Sequence, residues 1–159
     1  MVDSYTKGNA GLVMQQGTTL ISQFGDTSYG SFGALLLARA KLDQGDMAAA
    51  RAHLQWVVSN ARQPEVKQLA MLRLARVWLA ENKTDEGFKQ LDAMDAAAFT
   101  VQRNELRGDL YRAKGDLAQA RTAYQQALDA PDKGADALKE IIRLKLDAVG
   151  GGPTQERKQ

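Results

Sequence analysis

The chain has 159 residues, 44% of them apolar, no cysteine, one histidine and a formal charge of +2 from 21 basic and 19 acidic side chains. That length suits one domain with its own core, and the lack of cysteine excludes a disulfide framework, an Fe–S cluster, a thiolate zinc site and a cysteine nucleophile. Basic residues scattered among acids argue against a nucleic-acid footprint, and Ala and Leu outnumber Val and Ile 44 to 11, which favours helix over strand.

Residues 1–11 hold no apolar stretch of signal type, and no uninterrupted apolar run approaches the ~18 residues that span a bilayer. The chain as it stands is expected to be soluble, although its polar start leaves open an apolar anchor ahead of Met1. Residues 5–16 and 18–24 suggest one broken helix or two short ones, interrupted at Gly17, and 25–30 a loop. Helix pairs follow at about 31–44 with 47–61, 65–81 with 85–95, and 99–114 with 117–130. Pro64 suits a first helical turn, where its missing N–H loses no partner. A final helix at about 135–149 puts Leu138, Ile141, Ile142 and Leu146 on one face and Lys139, Glu140, Arg143 and Asp147 on the other. It fits the cap of a helical array. Residues 150–159, with three glycines and a proline, are expected to form a flexible tail.

The pairs are copies of one pattern. Gly45-Asp46 and Gly115-Asp116 lie 70 residues apart, with Asn82 between them at spacings of 37 and 33. Glycine, or asparagine in its place, closes a helix in the left-handed conformation, and Asp46, Asp116 and Thr84 are positioned to cap the next. Beyond the turns, Ala50, Gly87 and Ala120 are small enough for close helix approach. Leu54, Leu91 and Tyr124 follow four residues later, and then Val57, Met94 and Ala127 on the same stripe. Before the turns, Ala38, Ala75 and Gly108 are small again, followed at three residues by Lys41, Trp78 and Tyr111.

This arrangement resembles the tetratricopeptide repeat, degenerate at Lys41, Asn104 and Arg107. The fold implied is all-α: a right-handed superhelix of antiparallel hairpins with N- and C-terminal capping helices, forming a single domain over residues 1–149 with repeats at about 31–61, 65–95 and 99–130.

Catalytic machinery is not apparent. His53 has no Ser, Cys or metal-ligand partner at a recognisable spacing. Gly30 and Gly33 follow no apolar strand and form no phosphate loop. Asp92 and Asp95 are three residues apart at a helix end, which suits a solvated face. No enzyme activity, cofactor or metal is therefore expected. A partner groove is better motivated. Placing the repeats in one register aligns Phe32, Leu35, Arg39 and Leu42 with Leu69, Leu72, Arg76 and Leu79, an apolar strip with two guanidinium groups. The equivalent positions in the third copy, Gln102, Glu105, Asp109 and Arg112, are polar. The alternative is that the N-terminal helices cover this strip. The Lys and Asn pattern that some repeat domains use to clamp a terminal carboxylate is not visible.

The order DTSYGSFGALLLARAKLDQGDMAAARAHLQ, QLAMLRLARVWLAENKTDEGFKQLDAM and ELRGDLYRAKGDLAQARTAYQQAL, closed by an amphipathic helix, resembles the periplasmic domain of the YfgM family, ancillary subunits of the SecYEG translocon in Gram-negative bacteria. Likeness covers roughly residues 5–149. The resemblance implies a non-catalytic scaffold at the periplasmic face of the inner membrane, held by a transmembrane anchor that this chain does not contain. It also implies protein partners: the SecYEG translocon, a PpiD-type periplasmic foldase and secreted polypeptides. Without the resemblance, the repeats alone suit a cytosolic adaptor equally well.

Overall fold

The computed structural model describes residues 10–131 and 134–150. Among them the secondary structure is helical throughout: α1 (Ala10–Phe24), α2 (Ser28–Asp43), α3 (Met47–Asn60), α4 (Pro64–Ala80), α5 (Thr84–Asp92), α6 (Thr100–Ala113), α7 (Leu117–Asp129) and α8 (Asp136–Ala148). Each helix packs on the next, and α4 also lies against α6 and α6 against α8. The architecture is an all-α array of helical hairpins.

The N-terminal region differs from the sequence expectation. Helix α1 runs through Gly17 without a break. Glycine is required there by packing: a Cβ at Gly17 would stand 2.6 Å from Leu37 Cγ. The loop before α2 is also shorter than 25–30. Thr27 caps α2, its Oγ1 accepting from Tyr29 N at 3.2 Å and donating to Phe24 O at 2.7 Å. Gly30 is thus helical, and its missing side chain admits the backbone of the turn, since a Cβ would lie 2.6 Å from Phe24 O and 2.7 Å from Gly25 Cα. Residues 5–9 of the expected first helix, and 151–159 of the expected tail, lie outside the described residues.

The three repeat turns share one backbone geometry. Gly45, Asn82 and Gly115 have φ of 77°, 59° and 81°, so asparagine occupies the left-handed position that glycine takes in the other two. Asp46 and Asp116 accept hydrogen bonds from Ala49 N and Gln119 N, both at 3.0 Å. The middle turn departs from expectation. Lys83, not Thr84, stands at the cap position and makes no side-chain cap bond, because Thr84 is already the first residue of α5. Helix α5 stops at Asp92, and Phe99, at φ 48°, leads into α6.

Three apolar clusters form the core in series. Ala34, Ala38, Leu54, Val57, Ala70 and Leu74 join α2, α3 and α4. Met71, Leu72, Ala75, Leu91, Leu106 and Leu110 join α4, α5 and α6. Val101, Ala120, Tyr124, Ala127, Ile142 and Leu146 join α6, α7 and α8. Helices α4 and α6 each turn one flank to the preceding hairpin and the other to the following one, which makes the array a chain of neighbour contacts. The small residues sit at the crossings: Ala38, Ala50, Ala75 and Ala120 are buried, and a Cβ at Gly108 would come within 2.4 Å of the Tyr124 ring. On α8, Ile142 and Leu146 face inward, while Ile141 is 51% exposed. The inward stripe is completed instead by Leu138 and Val149, with Ile141 rotated past the contact.

Candidate functional site: the groove between α2 and α4

Helices α2 and α4 do not pack closely on each other, and side chains of α3 form a floor between them. The resulting groove has a volume of about 690 Å³. Phe32, Leu35, Leu36 and Leu42 line it from α2, Met47 and Leu54 from α3, and Leu69, Val77 and Ala80 from α4. Phe32 is 51% exposed at one end of it, next to Tyr29 one turn earlier. Among the described residues none from α1 lines the groove. Helix α1 packs on another flank of α2, where Gly17 meets Leu37 and Leu20 meets Gly33.

Six of the eight residues aligned by repeat register line this space: Phe32, Leu35, Arg39, Leu42, Leu69 and Arg76. Leu72 and Leu79 do not. Leu72 is buried in the cluster shared by α4, α5 and α6, and Leu79 packs against it. The cause is geometric. Register superposition selects the same flank of every helix, whereas a groove between two neighbouring helices is lined by the flanks that face each other. On α4 that flank carries Leu69, Arg73, Arg76 and Ala80, spaced four, three and four residues apart as a helical stripe requires. Arg73 was therefore legible in this spacing but not in the repeat alignment.

Arg39, Arg73 and Arg76 bring three guanidinium groups into the groove. Arg39 Nε donates to Asp43 Oδ1 at 2.9 Å, one turn along its own helix. Arg76 reaches Glu105 Oε2 on α6 at 3.4 Å. Arg73 has no carboxylate within ion-pair distance among the described residues. Partial burial, and then the like charges of Arg39 and Arg76, pull its pKa below the usual guanidinium range. It stays protonated at neutral pH, held at some electrostatic cost.

Further along, the surface is polar and paired with itself. Glu105, 6% exposed, binds both Arg76 and Lys145 of α8. Lys145 also donates to Asp109 Oδ2 at 2.6 Å, and Tyr124 Oη donates to Asp109 Oδ1 at 2.7 Å. Burial, followed by this bond to the carboxylate, raises the Tyr124 pKa well above its ordinary value. Of the third-copy positions, Glu105 and Asp109 are thus bound into the joint between α6, α7 and α8.

Asp92 and Asp95 have structural partners. Asp92 pairs with Arg107 at 2.6 Å. Asp95 accepts from Ala97 N at 2.9 Å within its turn, and its backbone N donates to Gln68 Oε1 at 3.0 Å. His53 is half-buried on α3. Among the described residues no group of acidic and histidine side chains has the arrangement of a metal site. No described helix is long and apolar enough to cross a membrane.

Fold and site together define a helical-repeat protein with an apolar groove edged by arginines. The chain matches the tetratricopeptide repeat-like domain family over residues 1–151 and belongs to that family. Three similar curated proteins each carry the name ancillary SecYEG translocon subunit. That of Neisseria gonorrhoeae is 31% identical over 115 residues, 72% of this chain and 54% of the relative. Its counterpart in Escherichia coli is 28% identical over 120 residues, 76% of this chain and 57% of the relative. The Haemophilus influenzae protein is 25% identical over 121 residues, 76% and 58% respectively. The chain therefore spans a little over half the length of these relatives. No solved structure matches it.

Proposed function

We propose that this chain is a non-catalytic protein-interaction scaffold within a translocon-associated protein, and that the groove between α2 and α4 is its partner-facing surface. The observation that carries this reading is the groove itself. An apolar trough of about 690 Å³, open between two repeat helices and edged by three arginines, suits a polypeptide better than a reacting small molecule. The name shared by the relatives supplies the class of partner, the SecYEG translocon. In this reading the domain works at the periplasmic face of the inner membrane, held by an anchor outside this chain, and links export to a membrane-bound foldase of the PpiD type or to emerging polypeptides.

The test is affinity purification of the tagged full-length protein from gently solubilised membranes. Translocon subunits or the foldase should be recovered reproducibly, and less of either should be recovered after Phe32→Ala, which removes an exposed side chain. Recovery of neither would overturn the reading.

A further inference from the structure

We infer that the occupant of the α2/α4 groove is a segment of a partner polypeptide carrying one Asp or Glu flanked on both sides by apolar residues, with its carboxylate paired to Arg73. This rests on the scaffold reading above and specifies the partner's chemistry.

The argument is one of charge balance and order along the groove. Three guanidinium groups enter it, and two have carboxylates beside them: Arg39 has Asp43, and Arg76 has Glu105. Arg73 stands one turn before Arg76 on α4, has no ion-pair partner among the described residues, and is repelled by both Arg39 and Arg76. Among the described residues Arg73 is thus the groove arginine with no carboxylate at ion-pair distance, and a single incoming carboxylate would pair with it. A partner lying in the groove would cover the exposed Arg73 side chain, and a charge-assisted hydrogen bond shielded in this way is stronger than one in open water.

Position decides what kind of carboxylate fits. In helix order the arginines stand midway along the trough. Phe32, Leu35 and Leu69 lie toward one end, and Leu42, Val77 and Ala80 toward the other. A fatty acid would place its charge at one end of an apolar site, and a chain's C-terminal carboxylate would leave half of the trough uncovered. An acidic side chain inside an apolar sequence covers both ends while its carboxylate meets the centre. The exposed ring of Phe32, with Tyr29 beyond it, extends the apolar surface at one mouth.

Fluorescence anisotropy with two short synthetic peptides tests this. Each has Leu and Phe on both sides of a central residue, which is Glu in one and Gln in the other. The Glu peptide should bind the full chain about tenfold tighter than the Gln peptide, the size of one charge-assisted hydrogen bond. In Arg73→Gln the preference should disappear with the melting temperature unchanged, whereas Phe32→Ala should weaken both peptides alike. Equal affinity for the two peptides, binding of neither, or a preference that survives Arg73→Gln would overturn the inference. So would displacement of the Glu peptide by equimolar lauric acid, which would mark a lipid site. The outcomes separate from those of the scaffold reading. Equal recovery of translocon subunits by the wild type and by Arg73→Gln, with no peptide preference, removes this inference and leaves the scaffold. A peptide preference without any recovery of those subunits does the reverse.

Discussion

His53 shows how much of a residue's role depends on neighbours that sequence spacing does not reveal. Burial, and then the charge of Lys41, hold its imidazole pKa below the ordinary 6.5, against the smaller opposing pull of Asp46. Between the folded value and 6.5 the unfolded chain binds more protons than the folded one, so stability is full above about 6.5 and is lost as pH falls through the folded value. Thermal melts followed by circular dichroism from about pH 7 to pH 5 should show a steeper decline for the wild type than for His53→Gln. Identical slopes would mean that solvent relieves the imidazole of its burial. Charge reversal at the groove arginines is likewise a matter of neighbours. Arg39→Glu changes an exposed pair with Asp43 and should cost less than about 1 kcal/mol. Arg76→Glu sets a new carboxylate against Glu105, which is buried and held on its other side by Lys145, and should cost about 2–4 kcal/mol. Chemical denaturation of the two variants checks the difference, and equal costs would show that the Arg76–Glu105 contact carries little energy.

Among the elements, the repeat turns were the most legible part of the sequence, because left-handed backbone and side-chain caps restrict residue choice locally. Gly45, Asn82 and Gly115 adopt the same positive φ, as their alignment requires. The cap of α5 was misplaced by one residue for the same reason: Thr84 is a good capping residue, but the turn geometry fixes the cap at the position after the left-handed one, where Lys83 stands. Asp46→Ala and Asp116→Ala should each lose about 1 kcal/mol, since each leaves a first-turn N–H without its acceptor. Lys83→Ala should lose about half that or less, because it ends only the loose contacts of Lys83 with Glu81 at 3.6 Å and with the Trp78 ring at 5.2 Å. Denaturant midpoints of the three variants decide the order. The break expected at Gly17 failed because a glycine within a helical pattern has two readings: a stop, or a close contact with a partner far away in sequence. Only the position of Leu37 distinguishes them.

On the scale of the whole molecule, linear stacking explains both how far the sequence could be read and how the protein should respond to damage. Local periodicity identified the hairpins and their crossing residues, since each hairpin repeats the same requirements. The groove was legible only in part, because its walls belong to different hairpins and depend on the relative rotation of α2 and α4. Leu72 and Leu79 belong to the next cluster, and Arg73 lines the groove from a position that repeat register does not select. The same serial arrangement limits how far a disturbance travels. Ala120 is fully buried at the crossing of α6 and α7, in the cluster that also holds Val101, Tyr124 and Ile142. Ala120→Leu overpacks that crossing and should cost about 1–3 kcal/mol. In an array whose stability is a sum of repeat and nearest-neighbour contributions, that cost falls first on the hairpin carrying it and on its contact with α8. Hydrogen exchange should therefore quicken across α6, α7 and α8, while amides of α2 and α3, in a cluster that shares no residue with the damaged one, keep their protection. Equal acceleration from α2 to α8 would show that the three clusters unfold as one cooperative unit. No change anywhere would mean that the crossing has room for a leucine, and that Ala120 does not mark a close approach of α7 to α6.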